Sequence, residues 1–502
     1  MGRKVPIFYN ALMLTGVNLL LRFVGTSFQV FISGRIGAAG VGLLQLVLSV
    51  GSMALTAGMA GVRTACMYLT AEELGRGNVK NVTWVLSGCI FYSVLCSGAV
   101  GALVYGFAPK IAAAWIGDSR TVGAIRLFAG FLPVSCMVGV MVGYFTAANR
   151  IATLAAVEVA EQLCSMAVTA CALVFWAGDE IGKACQSVVL GSCAGGLLTL
   201  SCLVILRLRE RAGTGKRIPV ARRLTDIALP LAVADDLKVG INTVENLMVP
   251  KRLALHTGDA LGQFGMVSGM VFPVIMFPAA ILFALADLLI PEMARCSAAG
   301  SQNRIRYLAR RSLRIAMVYG VVCGGVLFLL AKPLCLKLYG NAGAGELMGP
   351  YALLVPMLYC DAIIDAMNKG LGQQKICVKY NIFTALLDVA GLYVLLPVLG
   401  IEGYFISFFI SHAVNAALSL RLLLKTAGIR VRLRVPVLTV MAMAGAVFFA
   451  GKLKNTAAKS VAYVLLVLLG LFVLGVVRKA DGIWLKGLIK CEKNPKKIKN
   501  NV

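Results

Sequence analysis

Long stretches of this chain carry no charge at all. Val82 to Pro109, Leu127 to Asn149 and Ala184 to Leu206 each run without one charged side chain. A helix needs about 20 apolar residues to cross roughly 30 Å of hydrocarbon, and each run is long enough. A water-soluble fold of 502 residues, 59% hydrophobic and only 14% charged, could not hide that much apolar surface; soluble domains are about 25% charged. The pattern predicts an all-α integral membrane protein with about fourteen transmembrane helices. The first apolar run follows Arg3 and Lys4, continues to about Ser33 and shows no small-residue cleavage site, so it is expected to stay as a span.

A formal net charge of +27 invites a nucleic-acid reading, and the placement of the 49 lysines and arginines decides against it. Most fall in alternate connectors, with dense groups at Arg207 to Arg223, Arg295 to Arg314, Arg421 to Arg434 and beyond Arg478. That alternation obeys the positive-inside rule, with both termini cytoplasmic. Basicity is then a matter of topology and of contact with anionic membrane lipids, and no nucleic-acid partner is needed. The 15 cysteines are scattered through apolar spans without metal-ligand spacing, and only His256 and His412 are available as imidazoles. No metal site and no cofactor are expected from these residues.

The predicted spans lie near 6–33, 41–68, 82–107, 123–147, 151–176 and 184–206, then near 225–250, 262–290, 311–332, 346–368, 376–398 and 402–424, with two more near 436–452 and 457–477. This divides the chain into an N-lobe (1–210), a basic linker (211–224), a C-lobe (225–425), two extra helices (426–478) and a basic tail (479–502). The two six-helix lobes look like repeats. At an offset of 220 residues Gly42 meets Gly262, Val47 meets Val267, Ala60 meets Ala280, Leu69 meets Leu289 and Glu72 meets Glu292. Repeated bundles around a central cavity are a common transporter plan.

Polar residues inside the spans recur on single helix faces. Asn18, Arg22, Gly25 and Gln29 fall at i, i+4, i+7 and i+11; Gln45, Ser49, Ser52, Thr56 and Arg63 share a face of the second span. The fifth span carries Glu158, Glu161, Gln162, Ser165 and Thr169, and the seventh Asp235, Lys238, Asn242 and Glu245. Such stripes serve either helix–helix hydrogen bonding or a wet cavity, and Asp235 with Lys238 could simply neutralise each other. Because charge at the bilayer centre costs about 2.5–3.5 kcal/mol per residue, four stripes with ionisable members favour one shared cavity. Asn18, Arg22, Gln29, Gln45, Arg63, Lys238 and Asn242 are the candidate substrate contacts, since guanidinium forks match phosphate oxygens. Glu158, Glu161, Asp235, Glu245, Asp361, Asp365 and Asp388 are candidates for a coupling proton or sodium ion, or for pairing with the bases.

The stretches Arg22-Phe23-Val24-Gly25, Phe31 to Leu46, Ala54 to Gly61, Leu289 to Met293, Leu395-Leu396-Pro397 and Gly400 to Tyr404 resemble the stage V sporulation protein B branch of the polysaccharide-flippase families. The resemblance covers about the first 425 residues. It implies the multidrug/oligosaccharidyl-lipid/polysaccharide exporter fold, similar to that of the MATE transporters, with two six-helix lobes. It also implies alternating access, moving a lipid-linked saccharide between leaflets of a bacterial cytoplasmic membrane. Arg22 sits where related lipid II flippases carry a cavity arginine, whereas Ser27, Phe28 and Gln29 stand where those proteins carry a second. The two C-terminal helices resemble those that form a groove for the lipid tail in that family.

Three functions remain in order. A lipid-linked saccharide flippase, acting as a monomer among membrane lipids, fits first, and a cation-coupled exporter of drugs or metabolites second. A membrane-embedded glycosyltransferase ranks third, because the short outside loops offer little room for catalytic carboxylates, Asp118 being the lone acid in one of them.

Overall fold

The computed structural model describes residues 7–76, 78–178, 180–209, 220–429, 434–453 and 455–473. The basic tip before Ile7, most of the 211–224 linker and the 479–502 tail lie outside the described residues. Every regular element described is helical: α1 (Ile7–Met59), α2 (Val62–Gly75), α3 (Val82–Lys110), α4 (Val122–Ala147), α5 (Ile151–Ala172), α6 (Ile181–Arg209), α7 (Val220–Leu253), α8 (Ala260–Gly265), α9 (Phe272–Met276), α10 (Ala279–Ala298), α11 (Gln302–Tyr339), α12 (Ala342–Gly370), α13 (Gln374–Leu399), α14 (Ile401–Ala427), α15 (Arg434–Gly451) and α16 (Thr456–Val473), with short 3₁₀ and π turns between some of them.

Among the described residues nine helices are long and apolar enough to cross a membrane, or ten if the pair bent by 63° near Phe277-Pro278 is one span. That pair is the predicted eighth span. At 1.5 Å per residue the 53 residues of α1 would reach about 80 Å, far more than one bilayer. Gly37, at φ 67° and ψ 178°, breaks the helix there, so the loop expected between residues 33 and 41 is reduced to one glycine. With α1 read as two spans, and with the polar helix α7 and the shorter α15 and α16 added, the fourteen helices of the sequence reading are accounted for. The protein is a multi-pass membrane protein.

Lipid tails are as apolar as leucine, so helices in a bilayer are held by close packing and polar contacts, not by escape from water. Small residues at crossings permit that approach. A Cβ on Gly42 would lie 2.4 Å from the Leu261 carbonyl oxygen, and one on Gly265 would lie 2.0 Å from that of Ala38. The first half of the chain thus meets α8 backbone to backbone. Gly61, at φ 72°, presses against the Ala228 carbonyl in the same way, and Gly143 against that of Arg63.

Contacts divide the described residues into two compact units. The first takes in Met1–Ala280, Leu338–Gly340 and Asn381–Ser411, and the second Ile281–Lys337, Asn341–Tyr380 and His412–Val502. In the first, α7 packs with α1 to α6 around Val62, Cys66, Leu69, Cys89, Phe145, Leu203 and Leu224. In the second, α15 and α16 pack on α11 through Val321, Met443, Ala446, Tyr463 and Val467, and the Tyr463 hydroxyl donates to the Val321 carbonyl at 2.7 Å. A side chain at position 325 would collide with the Tyr463 ring, so glycine is required there.

The acidic exits that the repeat pairs are used alike. Glu72 binds Arg76 at 2.6 Å and Arg223 at 2.5 Å, beside a nearly buried Glu73 that accepts from Asn81 at 3.2 Å. In the second unit Glu292 binds Arg304 at 2.7 Å and Arg295 at 3.6 Å. Each fixes the end of its long helix to the basic segment that follows or faces it.

Candidate substrate and ion sites

The stripe on α1 faces other helices of the first unit. Gln29 Nε2 donates to the Gly269 carbonyl at 3.4 Å, and a Cβ on Gly25 would stand 3.8 Å from Gln162 Nε2 of α5. Gly25 and Gln29 are four residues apart, so one face of α1 meets both α5 and the turn after α8. Arg22, three residues before Gly25, lies on that face and is exposed. Asn18 lies in the α1 helix, but its side chain is outside the described residues.

The second and fifth spans continue the polar surface. Arg63 is exposed, and its charge interacts with that of Glu158 on α5; Glu158 and Glu161 also feel each other. Glu161 accepts from the Thr199 hydroxyl of α6 at 2.7 Å, which fixes one carboxylate of the pair. Through Gln162 near Gly25 and Glu158 within Coulombic reach of Arg63, α5 turns polar side chains toward both α1 and α2, each of which carries a guanidinium. Two such groups can hold the separated oxygens of a phosphorylated headgroup.

Further along α1 the stripe is used for packing. Gln45 is half-buried, and its carbonyl accepts from the Ser49 hydroxyl at 2.8 Å. Ser49 in turn accepts from Asn246 Nδ2 at 3.0 Å, while its carbonyl accepts from Thr243 at 3.2 Å. Asp235, Lys238 and Asn242 are exposed on α7, and among the described residues no ion pair joins Asp235 to Lys238. Thr243 and Asn246, absent from the candidate residues, make the contacts with α1.

The acids fall into two groups. In the first unit Glu245 of α7 and Asp388 of α13 are near enough for their charges to interact. Asp388 is buried, and its Oδ1 accepts from the Ser407 hydroxyl at 2.6 Å. In the second unit Asp361 accepts from Asn415 Nδ2 at 2.9 Å, and Asp365 binds Lys369 at 2.6 Å. Among the described residues no group of three or more His, Cys, Asp or Glu side chains could hold a metal ion. Asn415, Ser407 and Thr199 are further polar partners that periodicity along one helix does not reveal, because each belongs to the facing helix.

The profile of the family described as "Polysaccharide biosynthesis protein" matches residues 79–342. The chain is similar to Stage V sporulation protein B of Bacillus subtilis (strain 168), 24% identical over 419 residues covering 80% of each protein. It is also similar to Sporulation protein YkvU of the same organism, 24% identical over 288 residues, covering 53% of this chain and 62% of that one. Among solved structures it resembles the lipid II flippase MurJ in an inward closed conformation, with a TM-score of 0.70 at 12% identity, over 95% of this chain and all of that one. An inward-facing MATE-family multidrug resistance transporter of the MOP superfamily gives 0.66 at 12% identity, over 82% of this chain and 98% of that one. The fold expected from the sequence is therefore the one found. With more than half of its length matched by the family profile, the chain belongs to the polysaccharide biosynthesis protein family.

Proposed function

We propose that this protein is an alternating-access flippase that carries a lipid-linked saccharide from the inner to the outer leaflet of a bacterial cytoplasmic membrane. The observation that carries the reading is that α5 presents Gln162 toward the Gly25 face of α1, which also bears Arg22 and Gln29, and Glu158 within Coulombic reach of Arg63 on α2. Arginine forks recognise phosphate by geometry as well as charge. A headgroup held there would be shielded from lipid while its tail stays outside. Family membership and the fold shared with MurJ support the same reading. Both termini are assigned to the cytoplasm from the distribution of basic residues.

The test is reconstitution into liposomes with a fluorescent undecaprenyl-pyrophosphate saccharide in the inner or outer leaflet. The wild-type protein should move the probe, and Arg22→Ala and Arg63→Ala should abolish movement while inserting and folding normally. Full activity in both variants would sink the headgroup assignment.

A second reading, cation-coupled export of a drug or metabolite, draws on Glu245 of α7 and Asp388 of α13, which are near enough for their charges to interact. Two interacting acids within membrane helices suit a proton or sodium ion that is bound and released during each cycle. Transport of the saccharide probe that ignores both ion gradients would exclude coupling. Failure to move that probe, combined with gradient-driven efflux of a cationic dye, would favour the exporter.

A further inference from the structure

In the second unit α12 and α14 are joined by two polar rungs. Asn368 Nδ2 donates to the Ser419 carbonyl, and Asn415 Nδ2 donates to Asp361 Oδ2, both at 2.9 Å. At the Asp361 rung two oxygens remain. Asp361 Oδ1 and Asn415 Oδ1 are both sealed from solvent, and neither has a hydrogen-bond partner. An ionised carboxylate only accepts, and so does an amide oxygen, so neither can satisfy the other. Leaving a buried acceptor unpaired is costly, and more so when it is charged. Here the two unpaired acceptors belong to two side chains already bonded to each other.

One hydrogen changes both. A protonated carboxyl presents a donor and an acceptor, the complement of the acceptor and donor of a carboxamide. We propose that Asp361 carries a proton in this state and forms a two-bond carboxylic acid–carboxamide pair with Asn415, so that the α12–α14 rung is a proton-binding site. The existence of the site is independent of what is transported; its use in coupling rests on the transporter reading above.

A metal ion is a poorer occupant. Hard cations in oxygen sites take about six or more ligands, whereas only two oxygens are uncommitted here. The other unpaired oxygen on this face, Asn368 Oδ1, lies seven residues away, about 10 Å along the helix. The surrounding titratable groups are Asp365, one turn on and paired with Lys369; Cys360 beside Asp361; Cys377 of α13, near Asp365; and His412, three residues before Asn415 on α14. Loss of the proton sets a carboxylate oxygen against an amide oxygen. Deprotonation therefore pushes the two helices apart or draws in water, which couples proton occupancy to their packing.

Infrared difference spectroscopy of the purified full-length protein across a pH titration tests this directly. The wild type should show the carbonyl stretch of a protonated carboxylic acid at neutral pH, sensitive to deuterium exchange. Asp361→Asn should remove the Asp361 component of that band. The variant can form an amide–amide pair with the same two bonds, so its thermal stability at neutral pH should match the wild type, which guards against misfolding as the cause. Asn415→Ala should retain the band and shift it to higher frequency. A wild-type spectrum without the band at neutral pH, a band undiminished in Asp361→Asn, or a band erased by sodium together with sodium binding lost in Asp361→Asn would each overturn the proposal. None of these readouts depends on transport, so they stand apart from failure of the flippase assay.

Discussion

The side-chain amide of Asn246 donates to the hydroxyl of Ser49 at 3.0 Å, and the two residues lie 197 positions apart in the chain. Ser49 is the common partner of α1 and α7, because its carbonyl also accepts from Thr243. Ser49→Ala should therefore cost more than Thr243→Val. The first leaves a partly buried amide donor without its acceptor, about 1–3 kcal/mol, whereas the second removes one of several bonds to a carbonyl, about 0.5–1.5 kcal/mol. Thermal unfolding in detergent should rank the two variants in that order, and the reverse order would remove Ser49 from this role.

The crossing of α1 with α8 has no room for a methyl group. Gly265→Ala sets its new carbon against the Ala38 carbonyl and should destabilise by about 1–3 kcal/mol, with Gly265→Val worse. Gly34→Ala, on the same long helix but with open space around it, should be neutral or stabilising by up to about 1 kcal/mol. Melting temperatures of the two alanine variants relative to wild type check the contrast. Equal shifts would mean that the crossing is not tightly packed.

Much of this was legible in the sequence for a plain reason. Bilayer thickness fixes span length, and charge-free runs of that length have few other uses, so α3, α4 and α6 could be placed from residue type alone. Spacing also showed which faces of α1, α5 and α7 are polar. It did not show what those faces meet. Thr243 and Asn246 engage Ser49, Thr199 engages Glu161, and Asn415 engages Asp361, each across a helix boundary that no one-dimensional period encodes. The same limit explains Gly37. Its left-handed conformation turns an expected loop into a single break, and glycine permits this without announcing it.

Acid should weaken the turn before α4. Asp118 accepts from the Arg120 backbone amide at 2.9 Å and from its guanidinium at 2.6 Å, and those bonds hold its carboxyl below the usual carboxylate range. A lowered folded-state value means that the contribution is present above about pH 4, the unfolded value, and is lost as pH falls through the folded one. Asp118→Asn keeps the cap but not the charge, and since Arg120 is half exposed the loss should be only about 0.5–1 kcal/mol. The stability difference between wild type and variant should be constant from neutral pH down to about pH 5 and shrink below about pH 4. A difference that grows on acidification would contradict the assignment.

Glu158 lies within Coulombic reach of Arg63, and that proximity makes a prediction with an unusual sign. A carboxylate beside a guanidinium competes with any phosphate for it, so removing the carboxylate's charge should strengthen headgroup binding. Glu158→Gln should tighten binding of a pyrophosphate-bearing lipid by about three- to tenfold, a change of up to about 1.4 kcal/mol, while Arg63→Ala should weaken it by about tenfold or more. In the double variant the glutamine should give no gain, because its effect passes through Arg63. Equilibrium binding of the labelled lipid to the purified single and double variants measures all three. If Glu158→Gln tightens binding equally with Arg63 present or absent, the acid acts on the headgroup directly, and Arg63 is not the group that it restrains.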